Sequence, residues 1–394
     1  MSLTTLAIDG VTPTSTLSPT SESELASVLQ EANAAGKSVA PVGGGTQLDL
    51  GMPPARVDVA LETTGLSQVV EYEPADLTVT VQAGMRVAEL QRMLGEQGQF
   101  LALDPPLDGG ATIGGAIATN ASGPLRFAYG TARDLVIGTR VANPDGTITH
   151  AGGRVVKNVA GYDLNKLYIG SLGTLAVVVE LSFKLAPIPP ATATIGGRLP
   201  SLSVANAIIS AVVRSPLAPL AVELVGSRQL VFRVGGYPQA VERQVRDLSA
   251  LIEQHGGEPE QADWDDVVGA RVEARRRDVV LKAAAPISTS SRVVEILERQ
   301  LAGLDPVVWA HAGNGVAYAA CDAPSDAEVL RDARREMVTL GDNASLVIER
   351  CPTALKSEID VWGDAGASIG LMRAIKARLD PKSTLNPGRY LGGI

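Results

Sequence analysis

The chain has 394 residues, 45% of them hydrophobic and 20% charged, with a net charge of −9. This is enough for two or three domains with substantial cores; the negative charge and the 4% aromatic content argue against any nucleic-acid partner. Its two cysteines, Cys321 and Cys351, form no CxxC pair, which rules out a disulfide framework and an iron–sulfur cluster or cysteine-zinc site held by this chain alone; both read as core residues.

The amino terminus has no basic stretch followed by an apolar core, so no signal peptide is expected. No run is long and apolar enough to span a bilayer. The expected location is cytoplasmic, with membrane contact at most peripheral and through partners.

Residues 18–36 read as a helix. Ser21 and Glu24 form a capping box, Leu25, Val28, Leu29 and Ala32 share a face, and Gly36 ends it. Strands are expected at 38–42, 57–61, 66–72 and 77–81, and a helix at 86–97. The pair 135–142 and 147–150, joined by Asn143-Pro-Asp-Gly146, is a hairpin signal. Residues 175–185 read as a long central strand, broken by Ala186-Pro-Ile-Pro-Pro-Ala191. Beyond it the texture becomes that of a second α+β domain. Helices are expected at 203–214, 241–254, 265–278, 288–301 and 327–338, with strands at 220–225, 230–234, 307–310 and 316–320. The basic run Arg271, Arg275, Arg276 and Arg277 reads as a solvated helix face or, alternatively, an anion or partner site. A helix at 372–379 leads into a turn-rich tail. The expected domains are 1–190, 191–370 and 371–394.

Three glycine-rich segments stand out: Pro41-Val-Gly-Gly-Gly-Thr46, residues 108–123, and Gly170-Ser-Leu-Gly-Thr-Leu175. Glycine suits sharp bends and close approach to a ligand, and consecutive free N–H groups at such bends bind anions. Three of them suggest one long phosphate-bearing ligand, a dinucleotide. No GxGxxG and no GxxxxGK[ST] occurs, so neither a Rossmann fingerprint nor a Walker loop supplies the site.

The order of these segments resembles the PCMH-type FAD-binding fold of the vanillyl-alcohol oxidase superfamily. The likeness rests on the Gly43–Gly45 loop, Asp104-Pro105, Thr112-Ile-Gly-Gly115, Asn120-Ala-Ser-Gly123, Tyr129-Gly130, Arg133-Asp134, Gly161-Tyr-Asp-Leu164, Gly170 to Leu175, Asp380-Pro and Asn386-Pro-Gly388. It implies an α+β architecture: a two-lobed FAD-binding domain, a smaller α+β cap domain, and a tail returning to the first. Within that superfamily the segments Val156-Lys-Asn-Val-Ala-Gly-Tyr-Asp-Leu164, His311-Ala-Gly-Asn-Gly315 and 379–390 are most similar to the FAD-binding E subunit of bacterial glycolate oxidase. This implies oxidation of a small 2-hydroxy acid, glycolate, to glyoxylate. The implied partners are a second flavoprotein subunit and an iron–sulfur subunit.

Carried over residue by residue, the resemblance places the FAD pyrophosphate on Val42, Gly43, Gly44, Gly45, Thr46 and Gln47. A second loop would cover the flavin with Pro105, Thr112, Gly114, Gly115, Asn120 and Gly123; Gly173, Thr174 and Asn386 complete the set. Covalent relatives carry histidine where Gly45 stands and a cysteine that residues 101–130 lack, so FAD is expected to be non-covalent. Leu172 and Ala176 stand where the family usually has Glu and Gly.

Removing hydride from a 2-hydroxy acid needs a base or metal for the hydroxyl and a cation for the carboxylate. Related dehydrogenases gather several histidines and an acid around a metal. This chain has only His150, His255 and His311, far apart, so no metal site is expected. His311 and Tyr162 are the candidate catalytic residues, with a turn histidine and a packed tyrosine as the alternatives. Arg126 and Lys157 are either carboxylate ligands or surface charge. Three functions remain open: a catalytic FAD subunit of a glycolate dehydrogenase complex, an accessory subunit whose flavin is structural or absent, and, less favoured, a stand-alone oxidase of another hydroxyl substrate.

Overall fold

The computed structural model describes residues 6–105, 109–153 and 162–394. These form two compact units. Both mix helices with sheets, an α+β architecture.

The first unit holds residues 1–122, 130–188 and 364–394. Its helix Glu22–Ala34 starts where the sequence placed the cap: the Ser21 hydroxyl accepts from the Glu24 N–H. The Glu24 carboxylate reaches back to the N–H of Thr20, one residue earlier than in a standard capping box. Three parallel strands, Ser15–Leu17, Val59–Glu62 and Val39–Val42, form one small sheet with Val59–Glu62 in the middle. Five antiparallel strands form a larger one, in the order Val69–Glu73, Thr78–Gln82, Val177–Lys184, Val136–Ala142, Ile148–Gly152. The last two strands are the expected hairpin, closed by the Gly146 N–H donating to the Asn143 carbonyl at 2.9 Å. Leu25, Leu29, Val39, Leu61, Leu66, Val177, Val179 and Leu385 form one core cluster joining the helix to both sheets.

The second unit holds residues 123–129 and 189–363. The expected boundaries at 190 and 370 therefore fall at 188 and 363, and 123–129 leaves the first unit. The reason is local packing. The turn Arg126–Tyr129 lies against the strand Ala221–Val225, and a Cβ on Gly313 would sit 2.5 Å from the Phe127 ring. The unit is built on an eight-stranded antiparallel sheet, in the order Glu258–Gln261, Ala191–Arg198, Gln229–Gly236, Ala221–Val225, Val307–His311, Val316–Cys321, Val279–Ala284, Ser345–Arg350. Four of these strands, Ala191–Arg198, Glu258–Gln261, Val279–Ala284 and Ser345–Arg350, are not among those read from the sequence.

Cys321 and Cys351 are buried and in no disulfide, and burial pushes the Cys321 thiol up to about 11. Thiolate is the reactive form. The folded protein is therefore expected to resist a disulfide reagent at about pH 8 that titrates both thiols once it is unfolded; rapid reaction of the folded chain would contradict this burial. Among the described residues no helix is long and apolar enough to cross a membrane.

Candidate functional site

The first unit contains a cleft. It is lined by three loops and the tail. Val42, Gly43, Gly44, Gly45, Thr46 and Gln47 form one wall; Thr112, Gly114 and Gly115 form another; Gly173 and Asn386 complete it. Among the described residues, the backbone N–H groups of Gly43 to Gln47 donate to no protein acceptor. Five adjacent unsatisfied donors at a tight bend form a nest suited to a pyrophosphate, with no lysine required. The residues present therefore fit a dinucleotide.

The glycines have a second role. A Cβ on Gly43 would lie 2.2 Å from the Thr112 hydroxyl oxygen, and one on Gly44 1.7 Å from the Gly110 carbonyl oxygen. A Cβ on Gly114 would meet that of Ala83 at 2.7 Å. These glycines let two loops of the protein touch, and that contact shapes the cleft.

The tail fastens the third loop. The Asn386 side-chain N–H donates to the Leu172 carbonyl at 2.7 Å, which gives this residue a structural bond as well as a place in the cleft. Lys376 Nζ donates to the carbonyls of Thr174 and Leu385 and to the Asp380 carboxylate at 2.7–3.0 Å. Thr174 is thus buried behind the cleft instead of lining it. Arg389, which the sequence reading missed, lines the cleft and donates to the carbonyls of Leu48 and Leu50. Its only sequence signal was its place directly after Asn386-Pro-Gly388.

Pro105 and Asn120 do not line the cleft, and Gly123 belongs to the second unit. Tyr162 belongs to the first unit, is 93% exposed and does not line the cleft. Asp108, Lys157 and Val156 to Gly161 lie outside the described residues.

The second unit carries a buried polar cluster on one face of its large sheet. Alternation places Glu223, Trp309, His311, Tyr318, Val280 and Lys282 on this face. The helix Trp264–Ala274 contributes Arg271, and Arg275 caps it. His311 Nδ1 lies 2.8 and 3.0 Å from the two Glu223 oxygens, and Arg271 donates to Oε2 at 2.9 Å. Burial holds the His311 pKa below its usual value, against the opposing pull of Glu223. Tyr318 stacks on Trp309 and meets His311 edge-on, with centroids 5.3 Å apart in both pairs. Arg275 and Lys282 lie 5.4 and 5.9 Å from the Tyr318 ring centre and both pair with Glu349. Arg271 and Arg275 are thus not on a solvated face: they turn inward to two carboxylates.

Residues 13–152 match the family model described as an FAD binding domain, and residues 364–390 match that of the FAD linked oxidases, C-terminal domain. Together the two matches span the glycine loop and the tail. FAD is its cofactor. The chain is similar to glycolate oxidase subunit GlcD of Bacillus subtilis, 27% identical over 96% of this chain and 88% of the relative. It is 28% identical to D-2-hydroxyglutarate dehydrogenase of Xanthomonas citri pv. viticola, over 94% and 88% of the two chains. Glycolate oxidase subunit GlcE of Escherichia coli is 42% identical, over only 32% of this chain and 36% of the relative. The fold is that of p-cresol methylhydroxylase, TM-score 0.75 at 14% identity, covering 96% of this chain and 89% of that one.

No histidine, cysteine or tyrosine is among the described residues lining the cleft. Among the described residues no group of three His, Cys, Asp or Glu side chains is placed to hold a metal ion. His150 is exposed on the strand Ile148–Gly152, and His255 caps a helix through the Leu251 carbonyl. Exhaustive dialysis against EDTA is therefore expected to leave flavin content and melting temperature unchanged. A loss restored by adding back a divalent cation would contradict that expectation.

Proposed function

We propose that this chain is an FAD-linked oxidase that oxidises a small 2-hydroxy acid of the glycolate class to the 2-oxo acid, as the flavoprotein subunit of a complex. Support comes from the way two matched segments, far apart in sequence, build one cleft: Leu385 bridges to Val39 beside the glycine loop. The substrate class follows the names of the relatives aligned over nearly the whole chain, which share a 2-hydroxycarboxylate. FAD supplies the two-electron acceptor for the hydride leaving the substrate carbon. The chain's own residues do the rest. The N–H groups of Gly43 to Gln47 hold the pyrophosphate, and Asn386, Lys376 and Arg389 keep the loops in place. In the second unit, Arg275 and Lys282 are the cations assigned to the substrate carboxylate. His311 takes the hydroxyl proton.

The stretch of higher identity to the E subunit of glycolate oxidase and the longer alignment to the D subunit leave both subunit roles as readings of this chain. In either, the resemblance to glycolate oxidase implies that electrons pass on through a second flavoprotein and an iron–sulfur subunit. A second reading, an accessory subunit with a structural flavin, is favoured by the sparse histidine complement. Anaerobic addition of glycolate, D-lactate or D-2-hydroxyglutarate to the purified flavin-loaded chain separates the two. Bleaching of the flavin bands by one of them is expected. Bands that persist with all three, alone and with partner subunits supplied, would overturn the catalytic reading.

A further inference from the structure

The second unit buries three charged or titratable groups in one chain of bonds: Arg271, Glu223 and His311, at 6%, 1% and 2% exposure. Burying such groups is costly unless each has a partner. Two atoms of this cluster lack one: His311 Nε2 and Arg271 Nε are buried and make no hydrogen bond among the described residues. The cluster is also packed on several sides. Trp264 lies 5.8 Å from the Arg271 guanidinium, Gly313 is packed against Phe127, and the Tyr318 ring meets His311 edge-on.

We propose that Glu223, itself held by Arg271, is the positioning residue that keeps the His311 proton on Nδ1 and leaves the lone pair of Nε2 as the proton acceptor for the substrate hydroxyl. This rests on the reading of the second unit as the substrate-handling part. The donor inventory decides the tautomer. A guanidinium only donates, and Arg271 already donates to Glu223 Oε2. The ring nitrogen facing the same carboxylate is left to donate as well, so its proton is on Nδ1 and Nε2 is bare. Burial disfavours the imidazolium, so the ring is neutral and able to accept at neutral pH. When the hydroxyl proton arrives on Nε2, the carboxylate is in place to stabilise the imidazolium until that proton leaves to solvent. The charged groups that bear on His311 are Glu223, Arg271 and Arg126, with the Tyr318 hydroxyl the other titratable neighbour.

The chain has only three histidines, so selective 15N-histidine labelling gives three ring systems, and H311N assigns the one that matters. The expected parent spectrum has Nδ1 protonated and Nε2 bare between about pH 6 and 8. A proton on Nε2 in the parent would overturn the proposal without any variant. In E223Q the negative charge is gone and the amide can turn either face to the ring. The expected result is a mixed tautomer, with kcat for the flavin-loaded protein lower by about 100-fold and KM little changed. E223Q with the parent tautomer and kcat, lowered only in melting temperature, would make the cluster a structural ion pair and overturn the proposal. H311N with full activity would instead remove His311 as the acceptor, the reading on which the proposal rests. Loss of activity in H311N with E223Q unchanged would leave that reading intact and remove only the role of Glu223.

Discussion

Replacing Lys376 by methionine is expected to strip FAD from the protein and lower its melting temperature by roughly 10 °C, as a buried pair that loses one partner costs about 3–5 kcal/mol. Lys376 is 7% exposed and satisfies three acceptors at once: Thr174 O, Leu385 O and Asp380. Methionine fills similar space but donates nothing. Asp380 would keep the N–H groups of Thr384 and Leu385 but lose its counter-charge at 1% exposure. The two carbonyls would lose their donor. The flavin leaves because these bonds tie the Ser171–Thr174 turn to the tail segment that pairs with Val39 at the glycine loop. Thermal melts followed by protein and by flavin fluorescence check both halves. A variant that retains FAD and melts within a degree or two of the parent would show that the tail does not hold the cleft together.

Gly44→Ala is expected to weaken FAD binding at least about 100-fold, because overpacking against backbone has no side chain to yield. The new methyl would lie 1.7 Å from the Gly110 oxygen and 2.7 Å from the Gly110 carbonyl carbon. One of the two loops must then withdraw, and the row of N–H groups from Gly43 to Gln47 loses its curvature. Gly45→Ala is the informative neighbour. Nothing but Leu48 Cδ1, at 3.9 Å, faces its Cβ, so the change costs only the positive φ of +74°, about 1 kcal/mol. FAD titration of the two apoproteins by fluorescence quenching should show strong weakening in the first and a modest change in the second. Equal affinities would mean that loop contact does not set the site.

Local signals in the chain carry far in the first unit. The Ser21 cap, the Asn143–Gly146 turn and the apolar alternation of 57–61 and 77–81 each specify an element through neighbours a few residues away, and those elements formed. Where partners are distant the signal fades. The strand Val279–Ala284 lies between Val316–Cys321 and Ser345–Arg350, but in sequence it follows a charged run and carries Lys282 at its centre, so it does not read as a buried strand. Arg271 and Arg275 looked like a solvated helix face because their carboxylates, Glu223 and Glu349, are 48 and 74 positions away. Only the sheet brings them together. The glycines were legible as places and not as reasons. Gly43 and Gly44 line the cleft, while the contact they permit is with Thr112 and Gly110. Residues 123–129 went to the wrong domain because nothing in seven residues announces a packing partner at Gly313.

The absorbance spectrum of the purified chain tests the central claim, that three loops and the tail form a non-covalent FAD cleft. Flavin bands corresponding to about one FAD per chain, all released to the supernatant by acid precipitation, are the predicted result. A colourless protein that takes up no added FAD, or flavin that stays with the acid pellet, would contradict it.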